Sequence, residues 1–259
     1  MIWGFSFLKF CVILEKALNN FYMMMIRTII LLIFFTSSVY SQYNGYDFGI
    51  SSSLVYTTSA DIYLNPNSTD PFIRNRAFPV SDIINPAIEL RYRLSEPLIV
   101  GVGTEYMITK QIGRNLIVFE GNNEISLETE DGFIFVPIEL SLYYQMPFST
   151  QSFKFLMGGG AGFYIGEFSR TFGDTEISTL EKQTAFGVHV SVSMEYLVID
   201  RLGLRLEMKF RDPEFKSKSK YDSNIVNYNG NLITILRDTF DTRVNVNGVA
   251  FILGAAFYF

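Results

Sequence analysis

The final segment of the chain, from Val249 to Phe259, alternates between two kinds of side chain. Every second residue is apolar and most of these are large: Val249, Phe251, Leu253, Ala255, Phe257 and Phe259. The residues between them are mostly small, with glycine at 248 and 254 and alanine at 250 and 256. Because successive side chains of a β-strand point to opposite faces, a period of two predicts a strand with one continuous apolar face.

The same alternation recurs about eight times after Gln42. The clearest case sets apolar residues against charged ones: Ile88, Leu90, Tyr92 and Leu94 on one face, Glu89, Arg91 and Arg93 on the other. Tight turns at 95–97, 146–149 and 200–201 alternate with polar segments at about 57–85, 167–183 and 212–243, which we expect to be loops. Short turns at one end and long loops at the other are typical of transmembrane barrels. The pattern predicts an all-β, antiparallel, up-and-down transmembrane β-barrel.

Residues 109 to 132 leave the strand count open. Two β-like stretches, 116–119 and 125–127, flank a turn at Gly121-Asn122-Asn123. We expect this hairpin to continue the third and fourth strands beyond the membrane, which leaves about eight spanning strands. Two further spanning strands, for about ten in all, are the alternative.

Residues 1 to 41 are interpreted as a signal peptide. Arg27 precedes a short apolar run at 28–35, and small residues at 37–41 supply a cleavage site before Gln42. The run is too short to span a bilayer. Translation from a methionine at 23–25 would make residues 1–22 an upstream extension, and one long signal is the alternative. Residues 42–259 are predicted to form the barrel domain.

Composition excludes several classes of function. Cys11 is the only cysteine and lies in the predicted signal peptide, so the mature chain has no disulfide and no thiol nucleophile. The formal net charge is −5 without a basic cluster, which argues against nucleic-acid binding. The Gly158–Gly162 run lacks the Lys-Ser/Thr pair of a phosphate-binding loop, and we expect it to make room for long Arg and Glu side chains or to permit strand curvature. We predict neither a metal nor a cofactor.

Outward-facing aromatic residues fall at two levels of the predicted barrel. One level, near the periplasm, would contain Tyr46, Tyr92, Tyr144, Phe153, Tyr196, Phe257 and Phe259. The other, near the outer surface, would contain Tyr56, Tyr106, Phe163, Phe186 and Phe210. Two aromatic belts at the headgroups are typical of proteins in the outer membrane, which is where we expect this one.

Three stretches of the sequence carry a resemblance to a known family. They are Val136-Pro137-Ile138-Glu139-Leu140, the glycine run at 158–162 and the ending Gly254-x-x-Phe257-x-Phe259. From Tyr43 to Phe259 the chain resembles the small outer-membrane β-barrel (porin-family) domains of OmpA/OmpX-like, eight-stranded architecture. The resemblance implies that Gly254, Phe257 and Phe259 are recognised by the outer-membrane assembly machinery. Ile252 departs from the family pattern, which has a polar residue there.

Within the predicted strands, the charged residues lie on the face opposite the lipid. It comprises Glu89, Arg91, Arg93, Glu105, Glu139, Lys154, His189, Glu195, Arg205, Glu207, Lys209 and Arg211. A barrel of about eight strands has a lumen just wide enough for side chains to fill. Since an isolated buried ion costs several kcal/mol, these charges are predicted to pair and close the lumen. A narrow polar channel is the alternative.

His189 is the only histidine and forms a His-x-Ser pattern with Ser191. This pattern is similar to that of the outer-membrane lipid A deacylases, which place an Asn after the Ser where this chain has Val192. Because the alternation points His189 into the lumen, we expect it to hydrogen-bond a nearby Glu. We predict that the protein is not an enzyme, with a lipid hydrolase using His189 and Ser191 as a third reading.

Lys216, Lys218 and Lys220 alternate with serine above the seventh strand. On an extended segment they share one face and could contact lipopolysaccharide phosphates, whereas a solvated loop edge is the alternative. We predict a monomer in contact with outer-membrane lipid and lipopolysaccharide. Its expected role is envelope structure, or adhesion and partner binding through external loops, and the alternative is a small diffusion porin.

Overall fold

The computed structural model describes residues 47–120, 123–235 and 238–259. The predicted signal peptide, Cys11 and Tyr46 lie outside these residues. Within these residues the chain forms one helical turn, α1 (Pro71–Arg74), and fourteen strands. The strands are β1 (Phe48–Tyr63), β2 (Ala77–Arg93), β3 (Leu98–Glu105), β4 (Met107–Glu120), β5 (Asn123–Gln145), β6 (Phe153–Phe172), β7 (Thr175–Gln183), β8 (Ala185–Ile199), β9 (Leu202–Arg211), β10 (Glu214–Tyr221), β11 (Ile225–Tyr228), β12 (Asn231–Thr234), β13 (Thr239–Asn245) and β14 (Val249–Tyr258).

Among the described residues, no helix has the length and apolarity needed to cross a bilayer.

Eight antiparallel strands close into a ring in the order β1, β2, β3, β5, β6, β8, β9, β14. The ring closes where β14 pairs with β1, with Leu253 opposite Leu54. At the end of this ladder Phe48 N–H donates to the Phe259 carbonyl at 3.2 Å, and Phe259 N–H donates to the Phe48 carbonyl at 2.9 Å. The up-and-down barrel with eight strands is therefore confirmed.

The hairpin at 109–132 does not enlarge this ring. β4 pairs with β5 from Met107 opposite Phe135 to Glu120 opposite Asn123. β4 thus continues β3 beyond Tyr106, and the reading as an extension of existing strands is confirmed.

The three long segments predicted as loops are mostly strand, so that prediction is wrong. β1 runs on to Tyr63 and β2 starts at Ala77, while β7, β10 and β13 occupy much of 167–183 and 212–243. β13 pairs with both β1 and β10, and β10 pairs with β7. We call the outer ends of β1, β2, β5 and β6, together with β4, β7, β10 and β13, the outer extension. The sequence pattern does not indicate these strands, because their outer face contacts water and therefore lacks the apolar residues that identify a lipid-facing strand.

Large apolar side chains cover the outside of the ring. Among the most exposed are Leu54, Ile84, Leu90, Leu140, Met157, Val188, Val190, Leu206 and Leu253. Strand pairing holds the aromatic residues at two levels: Phe48 opposite Tyr92 and Phe153 opposite Tyr196 at one end, Tyr56 opposite Phe251 and Phe163 opposite Phe186 at the other. This is the surface that a bilayer covers, with amphipathic rings at both interfaces.

Candidate functional site: a closed lumen and a charged outer wall

The lower lumen is filled by a buried charge cluster around Arg205. Its guanidinium forms short ion pairs with Glu89 and Glu207. Arg91 donates from Nε to Glu89 Oε2 at 2.8 Å and lies 3.5 Å from Glu207 and 3.6 Å from Glu195. Two arginines thus share three carboxylates. Because all five side chains are buried, each charge depends on the others for compensation.

A second charge cluster lies further up the lumen. Arg211 pairs with Glu105 and, at 3.2 Å, with Glu139. Lys209 Nζ donates to the other Glu139 oxygen at 2.6 Å. Asn85, which the sequence pattern did not single out, donates to Glu105 at 2.6 Å. Together the two clusters fill this part of the lumen with paired charges.

Two cations of the predicted network lie at its periplasmic end. Lys154 Nζ is 3.9 Å from Glu195 and 4.8 Å from the centre of the Tyr258 ring. Among the described residues Arg93 pairs with no glutamate, and it instead donates to the Glu96 carbonyl at 2.8 Å and the Gln145 side chain at 3.3 Å. Arg93 is therefore a residue of the barrel rim, because it lies beyond the reach of the buried carboxylates.

Three tyrosines that the sequence pattern missed complete the charge network. The Tyr143 hydroxyl donates to Glu89 at 2.6 Å, and Arg91 stacks over its ring at 4.3 Å. The Tyr164 hydroxyl donates to Glu139 at 3.2 Å, and Tyr258 makes a short hydrogen bond to Glu195. Alternation alone indicates that such residues face inward, but it cannot show which carboxylate they reach across the lumen.

We expected the glycine run on β6 to make room for arginine and glutamate side chains. It makes room mainly for rings, and at Gly162 also for Glu139, whose side chain would lie 3.1 Å from a Cβ. A Cβ on Gly158 would lie 2.4 Å from the Tyr143 ring. A Cβ on Gly160 would lie 2.9 Å from His189, and one on Gly162 would lie 2.6 Å from Tyr164. The run is inward-facing strand packed against aromatic side chains.

Above the charges the lumen is closed by an apolar plug. We use this name for Met107, Phe133, Phe135, Phe168 and Phe215, which are all at most 1% exposed. Phe135 stacks on Tyr164 at 5.6 Å and on Phe215 at 5.9 Å. The Arg211 guanidinium lies 5.6 Å from the centre of the Phe135 ring, so the plug rests directly on the charge network.

A buried ion pair lies beyond the plug. Arg170 donates from Nε to Asp131 Oδ1 at 2.5 Å and from Nη2 to Oδ2 at 2.9 Å. Thr129 and Asn115 also donate to Asp131, at 3.0 and 2.7 Å, and Arg170 donates to the Tyr221 hydroxyl at 3.3 Å. Burial lowers the pKa of Arg170, but hydrogen bonding to Asp131 and its charge raise the pKa above the ordinary value. The guanidinium therefore stays charged.

The β11–β12 hairpin caps the outer end of this interior. Val226 is fully buried beside Phe172, and the ring of Phe172 stacks on Tyr228 at 5.2 Å. The Glu128 amide donates to the Tyr228 hydroxyl at 3.3 Å, and the Asn227 amide donates to Asp174 at 2.9 Å. From the periplasmic end outward, the interior thus runs from charges to plug, ion pair and cap.

His189 and Ser191 both lie in the lumen, at 2% and 4% exposure. His189 Nε2 hydrogen-bonds the Ser141 hydroxyl at 2.8 Å, so our expectation of a glutamate partner is wrong. Ser141 and His189 are opposite Gly160 on its two sides, and because Gly160 has no side chain the imidazole can reach Ser141 across it. Ser191 Oγ has no hydrogen-bond partner among the described residues, whereas a serine nucleophile needs a base within hydrogen-bond reach.

The described residues contain no group of three or more His, Cys, Asp or Glu side chains that could hold a metal ion.

The three lysines lie on β10, not in a loop, and face outward from the extension, since Phe215, Ser217, Ser219 and Tyr221 between them are buried. Lys218 Nζ is 3.6 Å from Glu181, and Lys220 Nζ is 3.3 Å from Asp238. Two of the three positive charges are therefore balanced within the protein.

The predicted assembly residues lie on β14. Phe257 and Phe259 are exposed on the lipid face. A Cβ on Gly254 would lie 2.1 Å from Ser53 Oγ and 2.7 Å from the Ser52 carbonyl, so only glycine fits between the first and last strands. Ile252 points inward and packs with Val55, which accounts for an apolar residue at this position.

No family model matches the sequence, and no curated protein matches it. Solved structures match its fold. The outer membrane protein OprG from Pseudomonas aeruginosa is similar with a TM-score of 0.57 and 16% identity, over 83% of this chain and 96% of that one. Neisserial surface protein A matches at a TM-score of 0.43 and 15% identity, over 82% and 97%. Ail of Yersinia pestis matches at 0.41 and 13%, over 83% and 99%.

The ring, its surface and the likeness to OprG lead to one conclusion. A closed barrel satisfies every backbone hydrogen bond between strands, which lipid requires of a spanning sheet. An apolar band around the whole circumference is a surface that water-soluble monomers do not expose. The chain is an integral outer-membrane β-barrel protein with eight spanning strands.

Proposed function

We propose that the barrel is a non-conducting anchor and that the protein acts through its outer extension, in envelope structure or in adhesion and partner binding. The observation that carries this proposal is the apolar plug. Phe133 and Phe135 have no exposed surface, and they lie across the lumen above a charge network that is itself tightly paired. Two successive barriers of different chemistry argue against the alternative of a diffusion porin.

The extension supports a binding role because it is built from strands instead of flexible loops. Its outer wall carries ion pairs between neighbouring strands, such as Lys110–Glu130 at 3.6 Å and Lys182–Glu167 at 2.5 Å. The buried Arg170–Asp131 pair and the cap hold it from inside. A rigid surface loses little conformational entropy when it binds a partner.

The partners we propose follow from the position of the chain. Outer-membrane lipid and lipopolysaccharide surround the barrel, and the assembly machinery inserts it through the strand that contains Gly254, Phe257 and Phe259. The exposed lipid face is continuous around the ring, which favours a monomer. We assign no catalytic role to His189 and Ser191, since in the part of the chain that the structure describes no base reaches the Ser191 hydroxyl.

Single-channel conductance tests the proposal. The mature protein, residues 42–259, is refolded and inserted in a planar bilayer, and folding is verified by heat-modifiable migration on a gel. We expect no current steps. A Phe133→Ala/Phe135→Ala variant serves as a comparison for leaks caused by a loosened plug. Reproducible steps from the folded wild type would show that the protein is a pore and would overturn the closed-lumen proposal.

A further inference from the structure

We propose that Lys216 and Arg243 form a binding site for a phosphate group on the saccharide part of outer-leaflet lipopolysaccharide. The site lies on the outer wall of the extension, on the neighbouring strands β10 and β13. The inference deepens the proposed function, because it names one ligand of the extension. It depends on the protein lying in the outer membrane and not on whether the lumen conducts.

The strand register places two like charges side by side. Lys216 is directly opposite Arg243 in the antiparallel ladder, and Gln183 is its neighbour on the other side. Both cations face outward, since Ser217 and Thr242 between the strands are buried. Like charges directly opposite each other destabilise a sheet unless an anion compensates them. Arg243 has Glu214 at 3.7 Å, so the positive charge of the row that lacks a carboxylate partner among the described residues is that of Lys216.

The next row along the same strands shows the contrast. Lys218 is opposite Asp241 on one side and Glu181 on the other, so a lysine at this level is flanked by two acids. The Lys218–Glu181 distance is 3.6 Å. Among the described residues, Lys216 has no carboxylate within 4.0 Å, although it lies on the same face of the same strand. Among the three lysines of β10, the lack of a carboxylate partner within the described residues is thus specific to Lys216.

Arg243 is held in position by its surroundings. Its guanidinium lies 4.0 Å from the centre of the Tyr63 ring, and its Nε is 3.7 Å from Glu214 Oε2. The side chain keeps 23% of its surface exposed. Stacking on a tyrosine leaves the edge of a guanidinium available, and its planar fork matches two phosphate oxygens. Lys216 adds a point charge beside that fork.

The height of the site indicates which part of the lipid it meets. Tyr56 belongs to the outer aromatic belt, and Tyr63, seven residues further along β1, is opposite Arg243. At about 3.3 Å per residue and a strand tilt of about 40°, Tyr63 lies roughly 18 Å beyond the belt. The headgroup layer of an ordinary leaflet is only about 5–7 Å thick. Lys216 and Arg243 therefore face the saccharide layer above the acyl chains.

The test compares two pairs of substitutions in the folded barrel in nanodiscs. One variant is Lys216→Gln/Arg243→Gln, and the matched control is Lys218→Gln/Lys220→Gln, which removes the same charge from the balanced rows. Binding of purified lipopolysaccharide is measured with the native glycolipid and after enzymatic removal of its phosphates.

We expect the first variant to bind native lipopolysaccharide at least about tenfold more weakly. The control should change by less than about threefold. Dephosphorylated lipopolysaccharide should bind wild type as weakly as the variant binds the native lipid.

Three results would overturn the site. The first is an equal loss of binding in both variants, which would indicate unspecific attraction. The second is unchanged binding after dephosphorylation of the lipopolysaccharide. The third is competition by free inorganic phosphate at the concentrations where lipopolysaccharide binds. Because all four exchanged side chains are on the outer wall, the variants should retain heat-modifiable migration. A conducting barrel would overturn the closed-lumen proposal but would not bear on the lipopolysaccharide site. The two proposals can therefore fail independently.

Discussion

Arg170 and Asp131 meet edge to edge inside the outer extension, with Nε–Oδ1 and Nη2–Oδ2 distances of 2.5 and 2.9 Å. The pair joins β6 to β5 between the apolar plug and the cap, and both side chains are buried. The Arg170 guanidinium also lies 5.6 Å from the centre of the Phe168 ring and 5.5 Å from that of Phe240. The pair therefore contacts the plug through Phe168, and through Phe240 it adjoins the buried cluster beneath the cap.

The first prediction concerns that pair. Asp131→Asn should lower the free energy of unfolding by about 3–5 kcal/mol, because it leaves a buried guanidinium without its counter-charge. Urea unfolding in detergent micelles measures the change. The exposed pair Arg114–Glu128, at 3.6 Å, is the control, and Glu128→Gln should cost no more than about 1 kcal/mol. Equal costs at the two positions would contradict the role given to the buried pair.

The second prediction uses adjacent glycines of β6. Gly158→Ala should destabilise by about 1–3 kcal/mol, since the new methyl group would lie 2.4 Å from the Tyr143 ring. Gly159→Ala is the matched control: its Cβ faces outward, with the nearest atom at 3.4 Å. The same unfolding measurement on both variants checks the assignment. If Gly159→Ala lowered the free energy of unfolding more than Gly158→Ala, the missing side chain at Gly158 would not be what makes room for the Tyr143 ring.

How far the sequence predicts this barrel depends on what surrounds each strand. In β9, Leu204 and Leu206 face lipid while Arg205 and Glu207 face charged partners, so alternate residues differ sharply and the strand is obvious. In β10 the contrast is reversed and weaker: Phe215 and Ser217 face inward, and Lys216 faces water. A segment with serine on its inner face resembles a loop in composition, and so the extension was missed.

The sequence predicts which residues point into the interior better than it predicts which of them contact one another. The alternation places Glu89 and Arg205 in the lumen, but these residues are 116 positions apart and their pairing depends on how the ring closes. Arg170 and Asp131 were missed altogether, because both lie in segments outside the predicted membrane strands. Arg243 was missed for the same reason, and only the register of β10 and β13 brings it next to Lys216.

The third prediction is a pH dependence on the outer wall. Burial raises the pKa of Glu167, but hydrogen bonds from Lys182 and Thr179 outweigh it, so the net pKa is lowered. A carboxyl with a lowered pKa in the folded state adds stability above its unfolded pKa, and this is lost as the pH falls below about 4.3. Because the Glu167 side chain is 32% exposed and its ion pair lies on the outer wall, the effect should be small.

Wild type and Glu167→Gln should therefore differ in unfolding free energy at pH 7 and converge as the pH falls through that range. Glu130→Gln, which removes another carboxyl from the same wall, corrects for the general loss of surface charge. A gap between wild type and Glu167→Gln that stayed constant down to about pH 3 would show that the Lys182 contact adds no pH-dependent stability.

The last prediction tests the cap through two glycines with positive φ. Gly173 has φ +57°, and a Cβ there would lie 2.5 Å from the Asn227 carbonyl of β11. Gly230 has φ +87° and no atom within 4 Å of its would-be Cβ. Both alanine variants carry the backbone cost of about 1–2 kcal/mol, but only Gly173→Ala also pushes against the hairpin.

Hydrogen exchange at Asn227 and Glu128, whose amides donate to Asp174 and Tyr228, should therefore accelerate in Gly173→Ala far more than in Gly230→Ala. Amides of the ring strands should keep their protection in both variants, because the cap is a local unit above the plug. If both variants freed the two amides equally, the hairpin would be held by its own turn and not by its contact with the end of β6.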